Sequence, residues 1–203
     1  MTFHTNFGRS QQFGTSTGGT PFSLSETGKV VKGFTVGFGG HLHFIGAHFG
    51  ALVSPPQPTV RAGKVHGDTV AFDDYETHLK GKNSIIMTEI RVLHDGKNVF
   101  GVEGIYNADG YVQSPGTHVG KELNPSTVNQ SIALTGGKYI NGISGRHGDI
   151  MDQLTISLSD GTSYSFGGTG GVAFGNIVPA GKKVVALGGG LGGHLHNIFA
   201  YTQ

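Results

Sequence analysis

The segment Gly39-Gly40-His41-Leu42-His43-Phe44-Ile45 recurs as Gly192-Gly193-His194-Leu195-His196-Asn197-Ile198, 153 residues further on. At the same offset Phe13-Gly14 matches Phe166-Gly167, Gly8 matches Gly161, and Met1-Thr2 matches Leu154-Thr155. Self-similarity at a fixed spacing sets the structural unit before any local pattern does. Residues 1–50 copy only the last third of that unit, and Met1 stands where the second copy is already in mid-strand. The stretch Ser54-Pro55-Pro56-Gln57-Pro58 is poor material for a central strand, because proline lacks the backbone donor. The expected organisation is a partial repeat over 1–50, a stiff Pro-rich linker over 51–65 and a whole unit over 66–203.

Within the unit the hydrophobic period is two. Leu154, Ile156 and Leu158 alternate with Thr155, Ser157 and Ser159, and Asp160-Gly161 is a hairpin turn pair. Ile90 and Val92 alternate with Glu89 and Arg91 before Asp95-Gly96. No helix of ordinary length is legible. Glycine accounts for 37 of the 203 residues, against a usual share of roughly 7%, and it punctuates the alternations rather than forming a low-complexity tract. These features predict an all-β fold closed as a sandwich or as a prism of short sheets.

A net charge of +1 with 13% charged residues gives no basic patch for nucleic acid. No cysteine is present, so a disulfide framework is excluded. Neither a secretory leader nor a membrane span is legible, which predicts a protein kept in the cytoplasm or released without a signal peptide. No cofactor is expected.

The candidate site lies in 145–171. A carboxylate loop, Gly148-Asp149-Ile150-Met151-Asp152, precedes the hairpin and a glycine loop, Gly167-Gly168-Thr169-Gly170-Gly171, follows it. The hairpin returns both to one end, so carboxylate acceptors and bare amides can meet. Asp149 and Asp152 also suit ordinary turns. Paired carboxylates suggest a glycosidase, but two in one short loop cannot flank a bond from opposite faces. His41/His43 and His194/His196 have a spacing that would suit a metal, yet no cysteine or carboxylate joins them nearby. Polar loop residues are the simpler reading.

Three motifs together resemble the jacalin-related lectins. Thr17-Gly18-Gly19-Thr20-Pro21-Phe22-Ser23-Leu24 and Gly167–Gly171 are similar to that family's GG loop, Gly148–Asp152 to its G-x-x-x-D sugar loop, and Lys29–Phe44 and Lys182–Ile198 to its closing strands. The resemblance implies a β-prism of three Greek-key four-stranded sheets and a non-catalytic carbohydrate-binding protein for mannose- or glucose-type glycans. Sugar would be held by Gly148, Asp149, Ile150, Met151, Asp152, Gly170 and Gly171. Gly18, Gly19, His43, Gly193 and His196 are weaker candidates, because His43 and His196 stand where the family has aspartate. The partners implied are glycans or glycoproteins and a second copy of the chain in a homo-oligomer (dimer); no nucleic acid and no membrane span are expected. The competing readings are a structural or interaction module without sugar binding, and a targeting module cut from a larger protein such as a pore former.

Overall fold

A computed structural model describes residues 1–5, 8–14, 17–51 and 54–203. The chain divides into two units, Met1–Ser54 and Pro55–Gln203.

Unit 1 holds two hairpins. Strands β1 (Thr2–His4) and β2 (Ser10–Gln12) pair antiparallel, as do β3 (Lys29–Phe38) and β4 (Leu42–Ala51). None of its described residues is buried.

Unit 2 begins with β5 (Gln57–Pro58), β6 (Ala62–Gly63) and β7 (Val70–Asp73), followed by a single π-helical turn over Tyr75–Leu79. Strands β8 (Ile85–His94), β9 (Val99–Ala108), β10 (Tyr111–Gln113), β11 (His118–Val119) and β12 (Val128–Ala133) come next. Then follow β13 (Ile140–His147), β14 (Met151–Leu158), β15 (Ser163–Gly167) and β16 (Val172–Phe174). The chain closes with β17 (Val184–Leu191) and β18 (Leu195–Thr202). Three sheets result, ordered β10-β9-β8-β12, β15-β14-β13-β16 and β5-β18-β17-β7, with β11 added to β9 and β6 to β18. In each of the first two sheets the fourth strand returns beside the first, which is the Greek-key order. The third key is split between the two ends of the unit. Its hairpin β17–β18 is C-terminal, and the strands that complete it precede β8.

The expected linker over 51–65 is therefore corrected. Pro58 and Gln57 pair with Tyr201 and Thr202, and Ala62 and Gly63 with Ile198 and Asn197. A proline is tolerated because β5 is an outer strand whose free side needs no donor. The Thr59 amide still donates to the Ala200 carbonyl at 2.7 Å.

The core fills the space between the three sheets. In β14, Leu154, Ile156 and Leu158 are buried while Thr155 and Ser157 are half-exposed, as the period-two pattern predicts. Ile90, Val92, Val102, Leu187 and Ile198 join them from the other two sheets. Glycine at 189 answers a close approach: a Cβ there would lie 2.8 Å from the Phe72 ring.

The repeat at offset 153 is also a repeat of register. Phe34↔Ala47, Val36↔Ile45 and Phe38↔Leu42 in unit 1 correspond to Leu187↔Ala200, Gly189↔Ile198 and Leu191↔Leu195 in unit 2. Thr2↔Gln12 and His4↔Ser10 correspond in the same way to Thr155↔Ser165 and Ser157↔Ser163. Their environments differ. Phe3, Phe13, Val31, Phe34 and Leu42 are exposed, whereas their counterparts Ile156, Phe166, Val184, Leu187 and Leu195 are core residues.

Candidate functional site

Each key of unit 2 has a β-bulge just after the loop that joins its first two strands. Arg146 pairs with Gln153 and His147 with Met151, so Asp152 is the unpaired residue. Gly190 pairs with Asn197 and Leu191 with Leu195, which leaves out His196. Leu93 pairs with Gly101 and His94 with Val99, which leaves out Phe100. In unit 1, His43 is left out likewise. A bulge re-aims the side chain it carries. Phe100 and His196 are buried, at 1% and 5% exposure, while Asp152 is half-exposed. Only the second key thus brings a carboxylate to the surface at this position.

The same bulge explains a misassigned residue. It shifts the strand's phase, so Met151 faces inward together with Leu154 and is fully buried. Met151 is a core residue, and its side chain has no part in an open site.

The β14–β15 hairpin sets Gly167 opposite Gln153, and the Gly168 amide donates to the Asp152 carbonyl at 2.8 Å. The Asp152 carboxylate lies against Gly170 and Gly171, where any Cβ would run into its oxygens. Gly171 also has a φ of +62°, which favours glycine. Arg146 fixes this loop with a fork: Nε donates to the Gly170 carbonyl and Nη2 to that of Gly171, both at 2.7 Å.

A cavity of about 580 Å³ opens beside Asp152. Gln153 and Gly167–Gly170 line it together with Gly96, Lys97 and Asn98, from the β8–β9 turn of another sheet. Asp95 holds this turn, accepting at Oδ1 from the Lys97 and Asn98 amides at 2.8 Å and at Oδ2 from Asn124 Nδ2 at 2.9 Å. Burial pushes the Asp95 carboxyl up, but the bonds from Asn98, Asn124 and Lys97 outweigh it and hold the carboxyl below its usual value. His94 ties the two walls together. Its Nδ1 accepts from the Gly96 amide at 3.2 Å and the Gly167 amide at 3.4 Å, while Nε2 lies 2.6 Å from Gln130 Oε1. These contacts require the neutral ring with its proton on Nε2.

Asp149 and Ile150 do not line this cavity. Asp149 is exposed, and its carboxylate accepts from Lys64 Nζ at 2.7 Å. That hydrogen bond holds its carboxyl below the usual value. His66 Nε2 bonds the Asp149 carbonyl at 2.8 Å. Ile150 is half-buried, and its carbonyl accepts from the Gly148 amide at 3.0 Å to close the turn.

The histidine loop at 192–196 is filled from within. His196 Nδ1 bonds Thr69 Oγ1 at 2.8 Å, and its ring meets His66 edge to face at 4.9 Å. A Cβ at Gly192 would lie 2.5 Å from His196 Nε2. The Gly193 carbonyl accepts from the Glu122 amide at 2.9 Å, and His194 stacks on Phe100 at 4.5 Å. Burial lowers the pKa of His196. In unit 1 the His43 ring also approaches its glycine, 3.1 Å from a Cβ built on Gly39, but His43 is exposed and lines a cavity of about 340 Å³ with Met1, Phe22, Leu42, Phe44 and Ile45. Gly18 and Gly19 are exposed turn residues and do not line it. Among the described residues no group of three His, Asp or Glu has metal-ligating geometry.

The sequence reading missed Arg146, His94 and the Gly96–Asn98 turn. The Asp95-Gly96 pair was legible as a turn, but nothing local says which loop it faces.

No protein-family model and no curated protein matches the chain. Solved structures do. Single-chain recombinant jacalin is 21% identical with a TM-score of 0.61, over 74% of this chain and 96% of its own. Frutalin from Artocarpus incisa is 20% identical at 0.60, over 74% and 97%. A mannose-specific jacalin-related lectin from Morus nigra, solved with mannose, is 21% identical at 0.60, over 74% and 96%. The chain has the all-β prism fold of the jacalin-related lectins.

Proposed function

We propose that the chain is a non-catalytic carbohydrate-binding protein that takes mannose- or glucose-type glycans at Asp152 and the glycine loop. The observation that carries this reading is the bulge position. Of its three occupants in unit 2, only Asp152 is an accessible carboxylate, and it lies against a bare loop beside an open cavity. A pyranose offers adjacent hydroxyls, and an ionised carboxylate accepts two of them in charge-assisted bonds. The Gly170–Gly171 backbone would supply the remaining donors. The sugar named for the Morus nigra lectin, and the methyl α-mannoside held by artocarpin, favour mannose as the first sugar to try.

Such shallow sites gain strength from copies. The exposed apolar positions of unit 1 favour a second copy of the chain as what covers them, giving an oligomer with several sites. They equally favour the alternative of an interaction module without sugar binding. A glycan array on the purified protein and on Asp152→Ala separates the two. Binding to mannose- or glucose-terminated glycans that disappears in the variant supports the lectin reading; an array empty for both proteins refutes it.

A further inference from the structure

The cavity beside Asp152 is built by two sheets, and its second wall differs chemically from the first. Gly96–Asn98 stands across from the glycine loop, so close that a Cβ on Gly168 would lie 2.9 Å from the Lys97 carbonyl. Asp95 and His94 hold that wall in place, as described above, so Lys97 and Asn98 are presented on an ordered turn. Asp152 can only accept hydrogen bonds and Lys97 can only donate them, while Asn98 and Gln153 do both. Among the described residues the Lys97 ammonium has no ion-pair partner, a condition it shares with Lys32, Lys82, Lys121, Lys182 and Lys183; what sets it apart is its place in the wall of the cavity. Asp95, two residues before it, spends Oδ1 on the Lys97 and Asn98 amides and Oδ2 on Asn124 Nδ2.

We infer that Gly96–Asn98 forms a second saccharide subsite, in which Lys97 selects a glycan residue bearing a carboxylate or sulfate next to the neutral sugar at Asp152. This rests on the sugar-binding reading above and deepens it. An exposed lysine adds a modest increment, about 1.5-fold to fivefold in affinity, which salt screens.

Calorimetric titration of the full chain tests it, with methyl α-mannoside, a neutral mannose disaccharide and a disaccharide carrying a uronic acid on mannose. The acidic disaccharide should bind about 1.5-fold to fivefold tighter than the neutral one at low salt, and that advantage should shrink in 0.5 M salt as the screening length falls to roughly 4 Å. Lys97→Ala should abolish the advantage of the acidic disaccharide over the neutral one. Equal binding of the two disaccharides, or an advantage that survives Lys97→Ala, overturns the subsite alone. Mannoside binding lost in Asp152→Ala keeps the parent reading standing in that case. Absence of binding by all three sugars overturns both.

Discussion

Asn197 reports whether residues 57–64 belong to the domain. It sits on β18 with no exposure, and both ends of its amide are used by that segment. Oδ1 accepts from Arg61 Nη1 at 2.7 Å, and Nδ2 donates to the Lys64 carbonyl at 2.6 Å. Arg61 also lies over the Phe199 ring at 4.8 Å. A hydrogen bond to a charged group is worth about 1.5–3 kcal/mol and a neutral one about 0.5–1.5 kcal/mol. Asn197→Ala removes one of each, so the expected loss is roughly 2–4 kcal/mol, a large part of the 5–15 kcal/mol typical of a domain. With a urea slope of about 2 kcal/mol/M the midpoint should fall by roughly 1–2 M. The chain has no tryptophan, so the transition is best followed by circular dichroism. Asn129→Ala, at an exposed position of β12, is the control. A cost for Asn197→Ala within about 0.5 kcal/mol, as at an ordinary surface position, would refute the edge-strand account and restore the linker.

Gly170→Ala places a methyl group against the Asp152 carboxylate at an exposed position without positive φ; sugar affinity should fall about tenfold by calorimetry while the melting temperature stays within about 2 °C. His196 is buried and its pKa is lowered, so its neutral form favours the fold. That contribution is whole above the unfolded value near 6.5 and is lost as pH falls through it toward the folded value. Urea midpoints at pH 7.5 and 5.5 should therefore differ less in His196→Gln than in the parent, and an unchanged difference would contradict this. Phe34 is 49% exposed where its counterpart Leu187 is fully buried, so Phe34→Lys should shift the chain toward monomer in sedimentation velocity if unit 1 covers its apolar face with a second copy.

Local signals carried much of the fold. The alternation in 154–158 and the Asp160-Gly161 turn were enough to bring Asp152 and the glycine loop to one end, because a tight hairpin leaves no other register. The repeat was legible as identity at 153 residues and reappears as matching strand pairing. What failed depended on distant partners or on phase. Pro55-Pro56-Gln57-Pro58 reads as a linker unless one knows that Tyr201 and Thr202 offer an edge more than 140 residues away. Met151 reads as a loop residue unless one knows that a bulge at Asp152 turns two residues of β14 inward out of step. The second wall at Gly96–Asn98 comes from another sheet, and no spacing within 145–171 points to it.

Amide chemical-shift mapping of the full chain with its best monosaccharide tests the central claim most directly. The account predicts that saturable shifts gather at 148–152 and 167–171, with Asp152 and Gly170 among the largest, and that the filled loop at 192–196 and the His43 loop at 39–43 stay still. Shifts confined to the His196 or His43 loops, or no saturable shifts with any mannose- or glucose-type sugar, would contradict it.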